Sequence, residues 1–509
     1  MAVSGQAARW APLWRSPAKL FGPVALCSAA VAAAGLVLLA GLWSLLIPIY
    51  CAALFAAIAF PKHSAAALLV AGIVFEPAAI DFTKPISAAL YSMPPGWDHA
   101  LGLTISPIEV AVVATALSLV LRRSAAYAPL RLPLVVWAVP AVMSLGLLYG
   151  LYKGAPANLA YTELRGLLVA VAAFVIAARL GPGHLPFLGR AVVGAVAALA
   201  VIVLARYFFI VRAGLLDVPL ESAFAHEGSL IFGIGLLVGG ARLLHVRDAR
   251  RILLMSGFCI LVTLAMMATG RRAGTLVLLV SGVSFGLLLL PRRPVLVIAA
   301  AIPLLLLTGA YLAVYWNHEY GTIAQPARAI RSQFQPSSRD DSSDLYRTIE
   351  KYDVVETIRY NRVFGVGFGR PFIQFQQLPD LTSFWPLQSY TSHQSVLWLW
   401  LKMGWLGISV FLGLVVVVLS RCLERMRGLT ATDANWTLAA VLFSGTLAFI
   451  VYATVDLGFA GSRSGASAAV LVALALGLRR SQDVQIGAAE QNPEAAASQS
   501  PLPDLGGRD

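Results

Sequence analysis

Charge is what this sequence has least of. Asp, Glu, Lys and Arg together make up 12% of 509 residues, about half the share found in soluble domains. With 59% hydrophobic residues and a mean hydropathy of +0.77, the chain cannot cover a globular surface with polar groups. That excludes a soluble fold and implies an integral membrane protein. Cysteine is scarce too. Cys27, Cys51, Cys259 and Cys422 fall in or beside apolar runs, so neither a disulfide framework nor a zinc-ligand spacing is present. Acidic residues are fewer than basic ones, 25 against 38. In a membrane chain that excess reports which side the loops face, and no nucleic-acid partner is expected. No cleavable signal is expected either, because the first apolar run, of about 40 residues, reads as two spans joined near Trp43.

What the sequence does contain is a succession of apolar runs. They predict spans at 22–41, 44–60, 64–77, 105–121, 133–151, 166–179, 191–211, 228–245, 252–269, 273–290, 295–315, 395–419, 436–456 and 465–479. The expected fold is therefore all-α: a polytopic membrane protein with about 12–14 transmembrane helices and one large, partly helical loop late in the chain. The divisions are a cytoplasmic N-terminus at 1–21, eleven helices within 22–315, the loop at 316–394, three helices within 395–479 and a disordered cytoplasmic tail at 480–509.

Orientation follows from the short loops. Arg9, Arg15 and Lys19 precede the first span, and alternate loops carry Arg122/Arg123, Arg247/Arg250/Arg251, Arg292/Arg293 and Arg421/Arg425/Arg427. By the positive-inside rule these are cytoplasmic, as are both termini. The arginines on the other side run against that bias: Arg165, Arg206, Arg212, Arg271, Arg272 and Arg463. Arg271 and Arg272 occupy a turn of a few residues, Thr269-Gly-Arg-Arg-Ala-Gly274, where two outer charges are costly unless lipid phosphates or another anion answer them. Arg206 lies inside the outer end of its span and is expected to face protein or a wet cavity, whereas Arg212, at that end, can snorkel to the interface. A cavity lined by arginines suits a phosphate or diphosphate, which the guanidinium grips with two parallel bonds.

The long loop has its own pattern. Ser342–Asn361 reads as an amphipathic helix with Leu345, Ile349, Tyr352, Val355 and Ile358 on its apolar face. Asp340-Asp-Ser-Ser-Asp344 stands at its start. Carboxylates there cap the helix and oppose its dipole, while the same Asp-Asp-x-x-Asp spacing can hold magnesium against a diphosphate; because these residues lie in a Ser-rich linker, no metal and no cofactor is expected. Gly365-Val-Gly-Phe-Gly369 follows no strand, so a nucleotide loop gives way to a tight turn that lets the backbone approach another surface. His393 opens the span from Ser395 on the arginine side. It either anchors that helix at the interface or serves as a general base.

Taken in order, Arg347, Gly365-x-Gly-x-Gly369, His393-Gln394 and Met403-Gly-Trp-Leu-Gly407 resemble the signature of the O-antigen ligase and polymerase superfamily of bacterial envelope glycosyltransferases. Thr269-Gly-Arg-Arg272 is similar to the family's Ser-Arg-Gly type turn, with Arg272 in the place of its arginine. The family usually has His-Asn where this chain has His393-Gln394. The resemblance implies a multi-pass protein of the bacterial inner membrane whose large loop and active site face the periplasm. It implies transfer of a glycan from a polyprenyl diphosphate carrier to a hydroxyl of a lipid or glycan acceptor, in lipopolysaccharide or exopolysaccharide biosynthesis. Arg272, helped by Arg271, Arg206, Arg212 or Arg347, would hold the diphosphate, and His393 would take the hydroxyl proton. The competing expectation is a transporter or flippase of the same lipid-linked sugar, which calls for inverted repeats and broken helices with ionisable groups at mid-depth. No repeat is evident, and Asp456 and Glu109 are the plausible deep carboxylates.

Overall fold

The computed structural model describes residues 46–77, 79, 82–92, 105–122, 127–130, 132–211, 226–318, 323–336, 338–382 and 385–478. The expected first span at 22–41, the segments 1–21 and 480–509, and Arg212 lie outside them. The described chain is all-α, and eight of its helices are long and apolar enough to cross a membrane, with four shorter apolar ones beside them. This is a polytopic membrane protein.

Two compact units divide the chain, one of residues 1–68 and 77–121 and one of 69–76 and 122–509. The first holds α1 (Leu46–Ala59), most of α2 (Pro61–Val74), α3 (Lys84–Tyr91) and α4 (Pro107–Leu121). Within it the Ser118 hydroxyl donates to Ile58 O at 2.9 Å, and the Tyr50 hydroxyl donates to Ala89 O at 2.9 Å. Glu109 accepts from Ser106 N at 2.8 Å, so this carboxylate caps α4.

The second unit begins with the end of α2 and continues with α5 (Leu134–Tyr152), α6 (Ala157–Leu180), α7 (Leu185–Arg206), α8 (His226–Leu243), α9 (Ala249–Thr269), α10 (Arg272–Leu289) and α11 (Pro294–Tyr315). The long loop supplies α12 (Gln325–Arg331) and α13 (Ser338–Tyr360), and α14 (Ser395–Met426), α15 (Ala434–Val455) and α16 (Ser462–Leu476) complete it. The expected span at 166–179 is the inner part of the longer α6, which brings Glu163 into the bundle. Apolar side chains at helical spacing close the cores. Val196, Leu199 and Val203 of α7 meet Phe232 of α8 and Val262 of α9, while Leu164 and Leu167 of α6 meet Trp398 and Leu399 of α14.

The glycine string explains how the loop attaches to these helices. Gly365, Gly367 and Gly369 all have positive φ, at 70°, 85° and 78°, a region closed to most side chains. A Cβ on Gly367 would overlap the backbone of Gly150 on α5, and one on Gly365 would overlap Leu401 O on α14. The bare backbone fits instead: Phe368 N donates to Gly146 O at 3.2 Å and Val366 N to Leu401 O at 2.7 Å. Leu401 O is available because α14 is broken at Gly404 (φ 63°, ψ −160°). The next amide, Trp405 N, donates to Arg362 O at 2.9 Å. Non-helical backbone at this depth is satisfied by protein rather than by lipid.

The loop helix differs from its expected face. Leu345 and Tyr352 are exposed, and the buried stripe is Glu350, Asp353, Val354, Thr357 and Ile358. The polar members are buried because each has a loop partner. Asp353 Oδ1 accepts from Phe375 N and Gln376 N, both at 3.0 Å, and Ile373 N donates to Thr357 Oγ1 at 2.9 Å. Burial pushes the Asp353 carboxyl up, against the lowering effect of those two amides.

Candidate active site

The charged residues gather where α9 turns into α10, α13 crosses the helix ends and α14 begins. Gly270, in the left-handed conformation, ends α9. Arg271 follows in extended conformation and Arg272 starts α10. Arg272 is half-buried and reaches α13, with Nη1 3.3 Å from Asp344 Oδ2 and Nη2 3.5 Å from Asp344 Oδ1. Of the acidic cluster, Asp344 is thus engaged by an arginine, and Asp341 is exposed.

Arg271 turns inward. Its Nε is buried and has no hydrogen-bond partner among the described residues. Burial depresses the guanidinium's affinity for its proton; Asp456 and then Tyr452 oppose this, Arg347 adds to it, and Glu76 opposes it. Arg347 lies one turn of α13 beyond Asp344, and its Nη1 donates to Val455 O at 3.5 Å. Arg271 and Arg347 therefore bring two guanidinium groups to the turn between α15 and α16.

The same turn carries the start of α14. The Ser395 hydroxyl donates to Asp456 O at 3.1 Å and accepts from Phe459 N at 3.1 Å. Two residues before it stands His393. Its Nδ1 lies 3.1 Å from Glu350 Oε1, and its backbone N donates to Glu350 Oε2 at 3.0 Å. Ser392 Oγ, at 3.3 Å, is a third donor to that carboxylate. Glu350 is 1% exposed. Tyr346 and Trp385 meet the imidazole edge-on, with ring centroids 5.9 and 5.0 Å away. Burial, and then the charge of Glu350, push the Tyr346 phenol up to about 12. Asp344, Arg347 and Glu350 thus occupy successive turns of α13 over about 9 Å of rise, and one rigid helix connects the arginines to the histidine.

Arg206 is placed differently. It is buried and ion-paired with Glu76. Arg463 is held by Gly72 O and Ile73 O at 2.7 and 2.6 Å, with Glu227 3.9 Å away. Both arginines tie helices together at this end of the unit. Gly365, Gly367 and Gly369 form the loop's packing surface, as their reading as a tight turn anticipated. Gln394 is the residue before α14, and its side chain makes no capping hydrogen bond.

Sequence reasoning missed Glu350, which the helical pattern left off the buried face, and the ion pair of Lys402 with Glu163. In that pair Nζ and Oε1 are 2.8 Å apart and neither side chain is exposed. Lys402 also donates to Arg370 O, and Glu163 accepts from Gly369 N, so the pair fastens the end of the glycine string. A single ionisable residue inside an apolar span is the signal that points to Lys402.

A search of curated proteins returns no match to the chain. Residues 257–412 match the family model described as O-antigen ligase. That stretch runs from α9 through the arginine turn, the loop and His393 to the broken part of α14, and over it the chain is similar to the O-antigen ligase family.

Proposed function

We propose that the protein transfers a glycan from a polyprenyl diphosphate carrier to an acceptor hydroxyl at the outer face of the bacterial inner membrane. The observation that carries this reading is the gathering of charged and polar groups around the turn after α15. Arg347 donates to Val455 O, Asp456 acts on Arg271 and accepts from Ser395, and His393 stands two residues before Ser395. Diphosphate is already a good leaving group, so the chemistry needs positive charge at its oxygens and a base for the incoming hydroxyl. Arg271 and Arg347 supply the inner charges, and Arg272 stands at the rim, where the donor's phosphates compete with Asp344 for its two prongs. His393 takes the proton from the hydroxyl. Arg206, engaged by Glu76, shapes the wall behind them.

A transporter of the same lipid-linked sugar has one observation in its favour, the break in α14 beside a buried Lys402–Glu163 pair. The glycine string fills that break and the two charges face each other. The apolar cavity of about 200 Å³ nearby is lined by such residues as Val139, Phe174, Leu399, Phe411 and Phe459 and offers a sugar no polar path. The test is transfer by the purified protein from polyprenyl diphosphate-linked oligosaccharide to the acceptor fraction of the same membranes. His393→Ala and His393→Gln should insert and retain donor while losing about 10²–10⁴ in rate. An active His393→Gln protein removes the general-base role.

A further inference from the structure

We propose that Glu350 is a positioning residue for His393, holding its ring with the proton on Nδ1 and stabilising the imidazolium that forms during transfer. The inference rests on the reading of His393 as the base. A histidine that accepts a proton must present a bare ring nitrogen to the substrate and must be kept in the matching tautomer. Here Nδ1 faces the two oxygens of a buried carboxylate at 3.1 and 3.2 Å. A carboxylate accepts and cannot donate, so Nδ1 bears the hydrogen and the Nε2 lone pair is left open. Among the described residues Nε2 makes no hydrogen bond, and 16% of the side chain is exposed.

The carboxylate is itself fixed. Besides the ring it accepts from His393 N and Ser392 Oγ, so backbone and imidazole are held from one group. Tyr346 and Trp385 flank the ring and leave it little room to flip. During transfer the acceptor O–H bond breaks and its proton joins Nε2. The oxygen bonds to the anomeric carbon, and the anomeric C–O bond to diphosphate breaks, its electron pair leaving with the phosphate. The imidazolium then lies against the negative charge of Glu350 and afterwards returns its proton to water. The other titratable group against the ring is Tyr346, which stays protonated across any working pH. Beyond it, the charged groups of this cluster are Asp344 and Arg347 on α13, Arg271 and Arg272 at the start of α10, and Asp456 after α15.

The experiment is steady-state transfer between pH 5 and 9 by the full-length protein in nanodiscs, with donor oligosaccharide and acceptor extracted from the producing membranes. Glu350→Gln, which keeps the shape but loses the charge, should lower kcat about 10²–10⁴-fold with little change in donor KM. Glu350→Asp should recover part of the rate. A purely structural Glu350 predicts instead a loss that follows the amount of folded protein, with the rate per folded molecule unchanged. The second measurement needs no variant to fold: ¹⁵N NMR of histidine-labelled wild-type protein should show His393, identified by its loss in His393→Gln, as the Nδ1–H tautomer. An Nε2–H tautomer, or a Glu350→Gln protein with the wild-type rate per folded molecule, overturns the inference while an inactive His393→Gln leaves the base standing. An active His393→Gln removes both.

Discussion

Lys402 of α14 and Glu163 of α6 stand 2.8 Å apart with neither side chain exposed. Removing one partner of such a pair leaves a lone charge in a dry interior, at a cost of about 3–5 kcal/mol. Lys402→Met alone should therefore lower the melting temperature sharply in detergent. Lys402→Met with Glu163→Gln should recover much of the loss, because Gln still accepts from Gly369 N and no charge remains. A double variant as unstable as the single one would show that the attraction itself, rather than the isolated charge, sets the cost.

Gly367 tests the seat of the loop. In Gly367→Ala the positive φ costs about 1–2 kcal/mol, and the overlap with Gly150 adds about 1–3 kcal/mol. Gly150→Ala should fail in the same way, since its Cβ would run into the Phe368 backbone. Limited proteolysis between 361 and 394 reads the outcome, and a loop as protected as in the wild type refutes the close packing.

Arg272 separates charge from shape. If its fork holds diphosphate, Arg272→Lys should transfer nearly as poorly as Arg272→Ala, a loss of about 3–4 kcal/mol in transition-state stabilisation. Asp344→Asn removes a competitor for that fork, so transfer should persist with an equal or lower donor KM. Full activity in the lysine variant at normal expression would take Arg272 out of the donor site.

Asp353 gives the loop a pH dependence of known sign. Burial raises the proton affinity of this carboxyl in the folded state. A raised acid holds its proton more tightly when folded, so its contribution is fully present below the unfolded value of about 3.9 and is lost as pH rises through the folded one. Hydrogen exchange of the Phe375 and Gln376 amides should accordingly show opening that becomes easier as pH climbs from about 4, beyond the intrinsic base catalysis of exchange. In Asp353→Asn that dependence should vanish while the amides remain protected. An unchanged slope in Asp353→Asn assigns it to another group.

Hydropathy carried the helices well, because runs of about 20 apolar residues have few alternatives in a membrane chain. Arg271 and Arg272 were legible for the same reason, since charge in a short turn between two spans stands out. The inner face of α13 was not. Apolar periodicity assumes that apolar side chains point inward, whereas Glu350, Asp353 and Thr357 are buried by hydrogen bonds to residues 16 to 43 positions away. The roles of Arg206 and Arg463 were hidden likewise: their partners Glu76, Gly72 and Ile73 lie far off in the chain. Spacing along a sequence shows where a charge is costly but not which distant group answers it.

The break at Gly404 also sets an order of assembly. The segment Gly365–Gly369 is synthesised before α14, yet Leu401 O is among its hydrogen-bond partners and the backbone at Gly404 lies against it. It therefore cannot reach its final shape as it leaves the ribosome, and must wait until the next span has been inserted and opened. Loop and span mature together, so a fragment of residues 316–394 made on its own lacks the surface on which its glycine segment takes form.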